Sequence, residues 1–292
     1  MIEPTTARPV DNAGSDEGEL SKPRTRTGLA NAVFASLAIV GALSVLAILA
    51  PALASDDPLR IDFARSALPP SVAHPLGTDR LGRDLFRRWL YAAQLSLGIA
   101  ATAAVAGSAG GILVGVLSGY RDGWVSGVLG RLADVAFALP IFFVAIALQS
   151  VLPAGAFGVI LVISATGWMS TARLVRGEAL RIRREGYVEA ARSLGVSDTR
   201  IVLRHILPNA FGTIAAAVTT SFGEALLLQS SLSFLGLGVP PPTPTWGGML
   251  LEAMPEMARG AWWLVVVPGL SILAATGAVG ALTERLRYAS EE

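Results

Sequence analysis

Between residues 29 and 55 no side chain is charged, and the same is true of residues 89–120 and 135–172. About 20 apolar residues, rising 1.5 Å each, cross a hydrocarbon core roughly 30 Å thick, so each run can span a bilayer. The third run is too long for one crossing, and Pro153-Ala154-Gly155 near its middle reads as a turn that divides it. Charge-poor runs over 206–231 and 260–283 add two more. The pattern predicts an all-α membrane protein with six transmembrane helices, the first over residues 29–54. A secretory signal is the rival for that first run, because Ala52-Leu53-Ala54 follows basic Lys22, Arg24 and Arg26 at a distance. Signal cores hold only about 7–15 apolar residues, however, and this run is longer.

Gly107, Gly111, Gly115 and Gly119 recur at every fourth position, which places all four on one helix face. Small residues there let a second helix approach closely, so the stripe reads as a helix-packing seam. Ionisable groups within a span are costly and tend to face the bundle interior or an aqueous path. Arg131 and Asp134, three apart at the start of the third span, are expected to pair on one face. Glu224, in the fifth span, and Gln229, one turn further, are candidates for a translocation path. The competing reading of each is a hydrogen bond between helices.

Mean hydropathy is +0.56, with 52% hydrophobic and 15% charged residues. The 23 basic and 22 acidic residues nearly cancel, leaving no overall field to attract nucleic acid. The absence of cysteine excludes disulfides, thiolate metal sites and a Cys nucleophile, and two histidines cannot build an all-histidine metal cage. Lys22 is the one lysine, so no phosphate-binding GxxxxGK[ST] loop exists and any nucleotide must be held by another chain. With both termini placed in the cytoplasm, inner segments carry sixteen Lys and Arg against seven outside, as the positive-inside rule favours.

Residues 1–28 are polar and Pro/Gly-rich, the composition of a disordered cytoplasmic tail. Residues 55–90 form an extracytoplasmic segment with an amphipathic helix, and 91–288 a five-helix core. Within the core, residues 232–261 make an outer loop that Gly236, Gly238 and Pro240-Pro241-Pro242 keep irregular. Trp246, Trp262 and Trp263 fit an interfacial aromatic belt. That loop and the segment 74–88 either meet a soluble partner or pack as a lid. His74, beside Pro75, reads as a turn residue rather than a metal ligand.

The cytoplasmic loop 173–208 is too polar for the bilayer. Tyr187, Ala190, Ala191 and Leu194 fall on one side of a short helix, Gly195 stops it, and Ser197 caps a second helix from Asp198 to about Leu207. Glu189 and Arg192 are its charges. The product is a helix-turn-helix elbow, either a knob for a soluble partner or a plain arginine-rich loop.

Glu189-Ala190-Ala191, Gly195 and then Ile206-Leu207-Pro208 resemble the EAA motif of ATP-binding-cassette importer permeases, with His205 where isoleucine is common. Three further stretches are similar to the C-type permease subunits of dipeptide, oligopeptide and nickel importers. They are His74-Pro75-Leu76-Gly77-Thr78-Asp79-Arg80-Leu81-Gly82-Arg83-Asp84, Gly119-Tyr120-Arg121-Asp122-Gly123, and Leu232-Ser233-Phe234-Leu235-Gly236-Leu237-Gly238-Val239 running on to Pro244-Thr245-Trp246-Gly247. The resemblance covers roughly residues 29–288.

It implies the type I importer permease fold in the inner or plasma membrane, with the elbow as the coupling helix. Tyr187, Glu189, Ala190, Ala191, Arg192, Leu194 and Gly195 would dock an ATPase subunit. The implied partners are a B-type permease, two ATP-binding subunits, an extracytoplasmic substrate-binding protein and membrane lipid. ATP and Mg would be bound by those partners, with no cofactor, metal or catalytic residue in this chain. The expected function is to form half of the pathway for di- or oligopeptides. The alternatives are the same machinery carrying nickel or another small solute, an ion-coupled secondary transporter, and an intramembrane enzyme. Inverted repeats are not evident for the second, and a lone Glu224 gives the third no catalytic constellation. The family commonly has an acid where this chain has Gln229.

Overall fold

The structure is a computed structural model that describes residues 57–291, apart from position 122, and scattered helical positions between 38 and 49. The tail 1–28 lies outside the described residues. Of the first expected span only those scattered positions are described, among them Leu46, which packs beside Leu90.

Residues 57–84 are irregular apart from one turn of 3₁₀ helix, Phe63–Arg65. No separate amphipathic helix forms in this described stretch. The first long helix, α1 (Leu85–Tyr120), starts where Asp84 accepts a hydrogen bond from the Arg87 N–H at 3.0 Å. Its 36 residues reach about 54 Å, well beyond one bilayer core.

Next come α2 (Trp124–Ala138) and α3 (Ile141–Val151), which meet at 91° about Leu139 and Pro140. A proline disfavours helical backbone in the residue before it, and Leu139 is extended accordingly. The third expected span is therefore a bent pair, with Arg131 and Asp134 inside α2. Gly155, at φ +131°, then opens α4 (Ala156–Arg183).

The elbow comprises α5 (Gly186–Ser193), α6 (Asp198–Ile201), a π turn (Val202–Ile206) and α7 (Leu207–Asn209). Across the π turn the Leu207 N–H donates to the Val202 carbonyl. This wider register precedes Pro208, which has no N–H to give to a carbonyl one turn back. The chain continues as α8 (Phe211–Phe234), α9 (Trp246–Met257) and α10 (Trp263–Glu291). The described residues thus hold four helices long and apolar enough to cross a membrane, or five counting the bent pair as one span.

The four glycines of α1 face α4. A Cβ on Gly111 would stand 2.5 Å from the Trp168 carbonyl oxygen, and one on Gly115 or Gly119 2.7 Å from the carbonyl oxygen of Ala172 or Arg176. Gly107 is looser, at 3.2 Å from the Ser164 oxygen. Helix backbones in direct contact leave no room for side chains here. The main core lies beyond the start of this seam, where Leu85, Ile99, Val159, Leu226, Trp246 and Ile272 draw α1, α4, α8, α9 and α10 together.

A candidate coupling elbow, ionic cap and cavity beside Glu224

The two ends of α1 carry different constructions. At its start, buried Asp79, Arg83 and Arg88 form an ionic network with half-buried Glu252. Arg88 is 1% exposed and donates from one guanidinium nitrogen to Asp79 Oδ2 at 2.6 Å and to Glu252 Oε2 at 2.8 Å. Arg83 donates to the same two carboxylates at 2.6 and 2.8 Å. Two cations are thus balanced by two anions, the condition under which buried charge is tolerated. The network ties segment 74–88 to α9.

Positive φ at Gly77 (+82°) and Gly82 (+72°) makes the turns that bring Asp79 round. His74 sits in a turn, its carbonyl accepting from the Gly77 N–H at 2.8 Å and its ring 2.7 Å from Asp84. Most polar groups of this stretch are spent inside the cap.

The expected irregular loop gives way at Thr245, whose hydroxyl accepts from the Gly248 N–H at 3.0 Å and starts α9. Trp246 is not in an interfacial belt: it is wholly buried, and its backbone N–H donates to Ser96 Oγ at 3.0 Å. Trp263 is also buried, and Trp262 alone of the three is exposed. Leu232 to Gly236 closes α8 with paired end bonds, Leu237 N–H to Leu232 O at 2.9 Å and Gly236 N–H to Ser233 O at 3.1 Å.

At the other end of α1 stands the elbow. The same end motif stops α5, with Val196 N–H on Ala191 O at 3.1 Å, Gly195 N–H on Arg192 O at 3.0 Å, and Gly195 at φ +79°. Tyr187, Glu189, Ala190, Arg192, Leu194 and Gly195 are exposed, while Ala191 is half-buried against the elbow's own small core. That core holds Tyr120, Ala179, Ile182, Val188, Ile201, Ile206 and Ala210. Val188, fully buried, was the one apolar position of α5 outside the expected cluster, and it is the side chain that seats the helix.

Tyr120, the last residue of α1, donates from its hydroxyl to Asp198 Oδ1 at 2.7 Å. Arg192 lies over its ring at 5.3 Å, and Arg183 donates to its carbonyl at 3.1 Å. Ser197 occupies the cap position of α6 without a side-chain cap bond.

Arg131 and Asp134 do not form the expected pair. The Asp134 carboxylate instead lies 4.0 Å from an Arg176 nitrogen on α4. The two candidates on α8 also part company. Gln229 is fully buried and bonds within its own helix, to Ser233 Oγ at 3.2 Å and Ser230 Oγ at 3.3 Å. Glu224 borders a cavity of about 430 Å³ walled by α1, α4, α8 and the bend between α2 and α3. Its carboxylate accepts from Ser170 Oγ at 3.3 Å. Beside it, hydroxyls of Ser221, Thr171 and Ser108 line up between helices at 3.1 and 3.4 Å.

An apolar bundle that carries an elbow at one end and a stapled cap at the other has the form of a multi-pass transport component. The family model for the binding-protein-dependent transport system inner membrane component matches residues 111–288, and the chain belongs to that family. It is 36% identical to the oligopeptide transport system permease protein OppC of Bacillus subtilis, over 92% of this chain and 89% of the relative. It is 35% identical to the dipeptide transport system permease protein DppC of the same organism, over 82% and 74%. To the glutathione transport system permease protein GsiD of Escherichia coli O6:K15:H31 it is 41% identical, over 75% and 72%.

Proposed function

We propose that this chain is the C-type permease subunit of an ATP-driven importer of di- or oligopeptides, forming half of a pathway completed by a B-type permease. Two ATP-binding subunits would hold ATP and Mg and do the hydrolysis, and an extracytoplasmic binding protein would deliver cargo. The chain hydrolyses nothing itself. It has six spans, with both termini and the elbow in the cytoplasm of a cell bounded by an inner or plasma membrane.

One observation carries this reading: an exposed, alanine-bearing elbow is fixed to the ends of two long helices at the pole opposite the ionic cap. Glu189, Ala190 and Leu194 stand free for a partner, while Val188 and Tyr120 hold the elbow rigidly below. The Arg183 side chain belongs to the end of α4, and its bond to the Tyr120 carbonyl joins that end to the end of α1. A displacement imposed on α5 when the motor subunits close is thereby passed to two spans at once. Peptide cargo is supported by the oligopeptide, dipeptide and glutathione permeases that the chain resembles.

Reconstitution tests the proposal. Vesicles holding this chain, its permease partner, both ATPase subunits and the receptor should accumulate labelled dipeptide when ATP is supplied on the motor side. Vesicles with this polypeptide alone should accumulate none. Uptake by the lone chain would overturn the reading, and uptake of nickel but no peptide by the full assembly would change the cargo.

A further inference from the structure

The cavity beside Glu224 has a composition that the importer reading does not by itself call for. Its lining is apolar on nearly every side, with Ala104, Phe137, Leu139, Ile163 and Leu228 among the walls. Glu224 is the one ionisable side chain among the described lining residues. A carboxylate has about four acceptor positions, and the bond from Ser170 Oγ at 3.3 Å fills one of them. Its volume of about 430 Å³ lies within the range of sites that take small molecules, roughly 300–1,000 Å³.

We propose that Glu224 and its cavity form a binding site for an alkylammonium group: a primary amine carrying an apolar substituent, as at the amino end of a peptide cargo. This rests on the importer reading and deepens it. The carboxylate selects positive charge, and the apolar walls select a substituent that prefers to leave water. A hard metal cation fits poorly, because it needs six or more oxygen ligands and few are free here. Thr166 Oγ1 is already committed to the Val162 carbonyl at 2.8 Å, and Ser221 Oγ is engaged with Thr171. An ammonium needs only about three acceptors, which the Glu224 oxygens and the Ser170 hydroxyl oxygen can supply. The bend at Pro140 adds a second feature. Leu139 and Ile141 line the cavity from either side of the bend, so the bent span itself forms part of the wall of the site.

The test uses the complete reconstituted assembly with alanyl-phenylalanine as cargo. In Glu224→Gln the amide keeps the shape and the Ser170 contact but loses the charge. Uptake of the dipeptide should fall about tenfold, near the lower end of what a charge-assisted hydrogen bond supplies, with receptor-stimulated ATP hydrolysis unchanged. Glu224→Asp should restore part of the uptake. A second measurement is independent of transport. Carbodiimide treatment of the purified assembly with alanyl-phenylalanine should form an amide at Glu224, seen by mass spectrometry, and N-acetyl-alanyl-phenylalanine should form none. N-acetyl-lysine coupling as well would assign the site to any alkylammonium, and coupling of the dipeptide alone to the amino end. Wild-type uptake in Glu224→Gln, an equal loss of ATP hydrolysis, or no adduct at Glu224 would overturn the proposal. A wild-type assembly that couples the dipeptide at Glu224 but does not import it would instead overturn the importer reading.

Discussion

A single methyl group decides the contact between α1 and α4. At Gly111 an added Cβ meets the Trp168 carbonyl at 2.5 Å and the Thr171 Cβ at 2.7 Å, so the helices must separate. At neighbouring Gly110 it meets only the Trp168 Cβ at 3.9 Å, an ordinary contact. Gly111→Val should cost about 1–3 kcal/mol of overpacking and lower the thermal midpoint of the detergent-solubilised subunit, while Gly110→Ala should leave it unchanged. Equal midpoints for the two variants would refute the seam. The ionic cap makes a second prediction at this scale. Glu252→Gln removes one of two anions facing buried Arg83 and Arg88; because Glu252 is half-buried, the cost falls below the roughly 3–5 kcal/mol of a fully buried pair. Loss of the fold around α9 should appear as rapid proteolysis within 246–262, and wild-type resistance would contradict the network. The glycine stripe was legible because its period lies within one helix. The network was not, because Glu252 stands 164 residues from Arg88, and nothing local marks a charge as buried rather than solvated.

The elements show the same division between local and distant causes. The elbow was legible because Gly195, Pro208 and the density of charge act within a few residues of themselves. The 91° break between α2 and α3 was not, since hydropathy reports length in lipid and is blind to direction, although Pro140 stood in the sequence as a local sign. Helix α9 was hidden by the glycines and prolines before it, which end at Thr245. Within the elbow, the exposed face and the seated face should answer differently to change. Ala190→Trp enlarges an exposed position, so the isolated subunit should keep its wild-type thermal midpoint yet fail to co-purify with the ATPase subunits. Retained co-purification would remove Ala190 from the docking face. Tyr120→Phe deletes the hydroxyl that donates to Asp198 and leaves the ring in its core. A hydrogen bond to a charged group is worth about 1.5–3 kcal/mol. In the full assembly this variant should hydrolyse ATP at the wild-type rate while moving less cargo per ATP, and an unchanged ratio would show that the bond carries no coupling.

For the whole molecule, function turns on which pole faces which compartment. Helix α1 enters from the ionic cap and ends at the elbow, and its length of about 54 Å exceeds the bilayer core, so the two poles cannot share one membrane face if the helix crosses. The positive-inside imbalance assigns the elbow to the cytoplasm, but only as a bias, because the cap holds Arg60, Arg65, Arg80, Arg83, Arg87 and Arg88. Within the proposed orientation, the structure offers a reason for those arginines to weigh less than their number suggests. Arg83 and Arg88 are paired with Asp79 and Glu252, and Arg65 lies 3.1 Å from Asp62, so three of the cap's six arginines carry their own counter-charges. The chain has no cysteine, so single substitutions report cleanly. Val72 in the cap and Leu194 in the elbow are both highly exposed, at 103% and 84%. In intact cells stripped of any outer layer, Val72→Cys should react at once with a membrane-impermeant maleimide, and Leu194→Cys only after the membrane is opened. Adding the ATPase subunits should then slow labelling at Leu194→Cys and leave Val72→Cys unaffected. Labelling of both from the same side would mean that α1 does not cross, and labelling in the reverse order would put the elbow beyond the reach of any cytoplasmic motor.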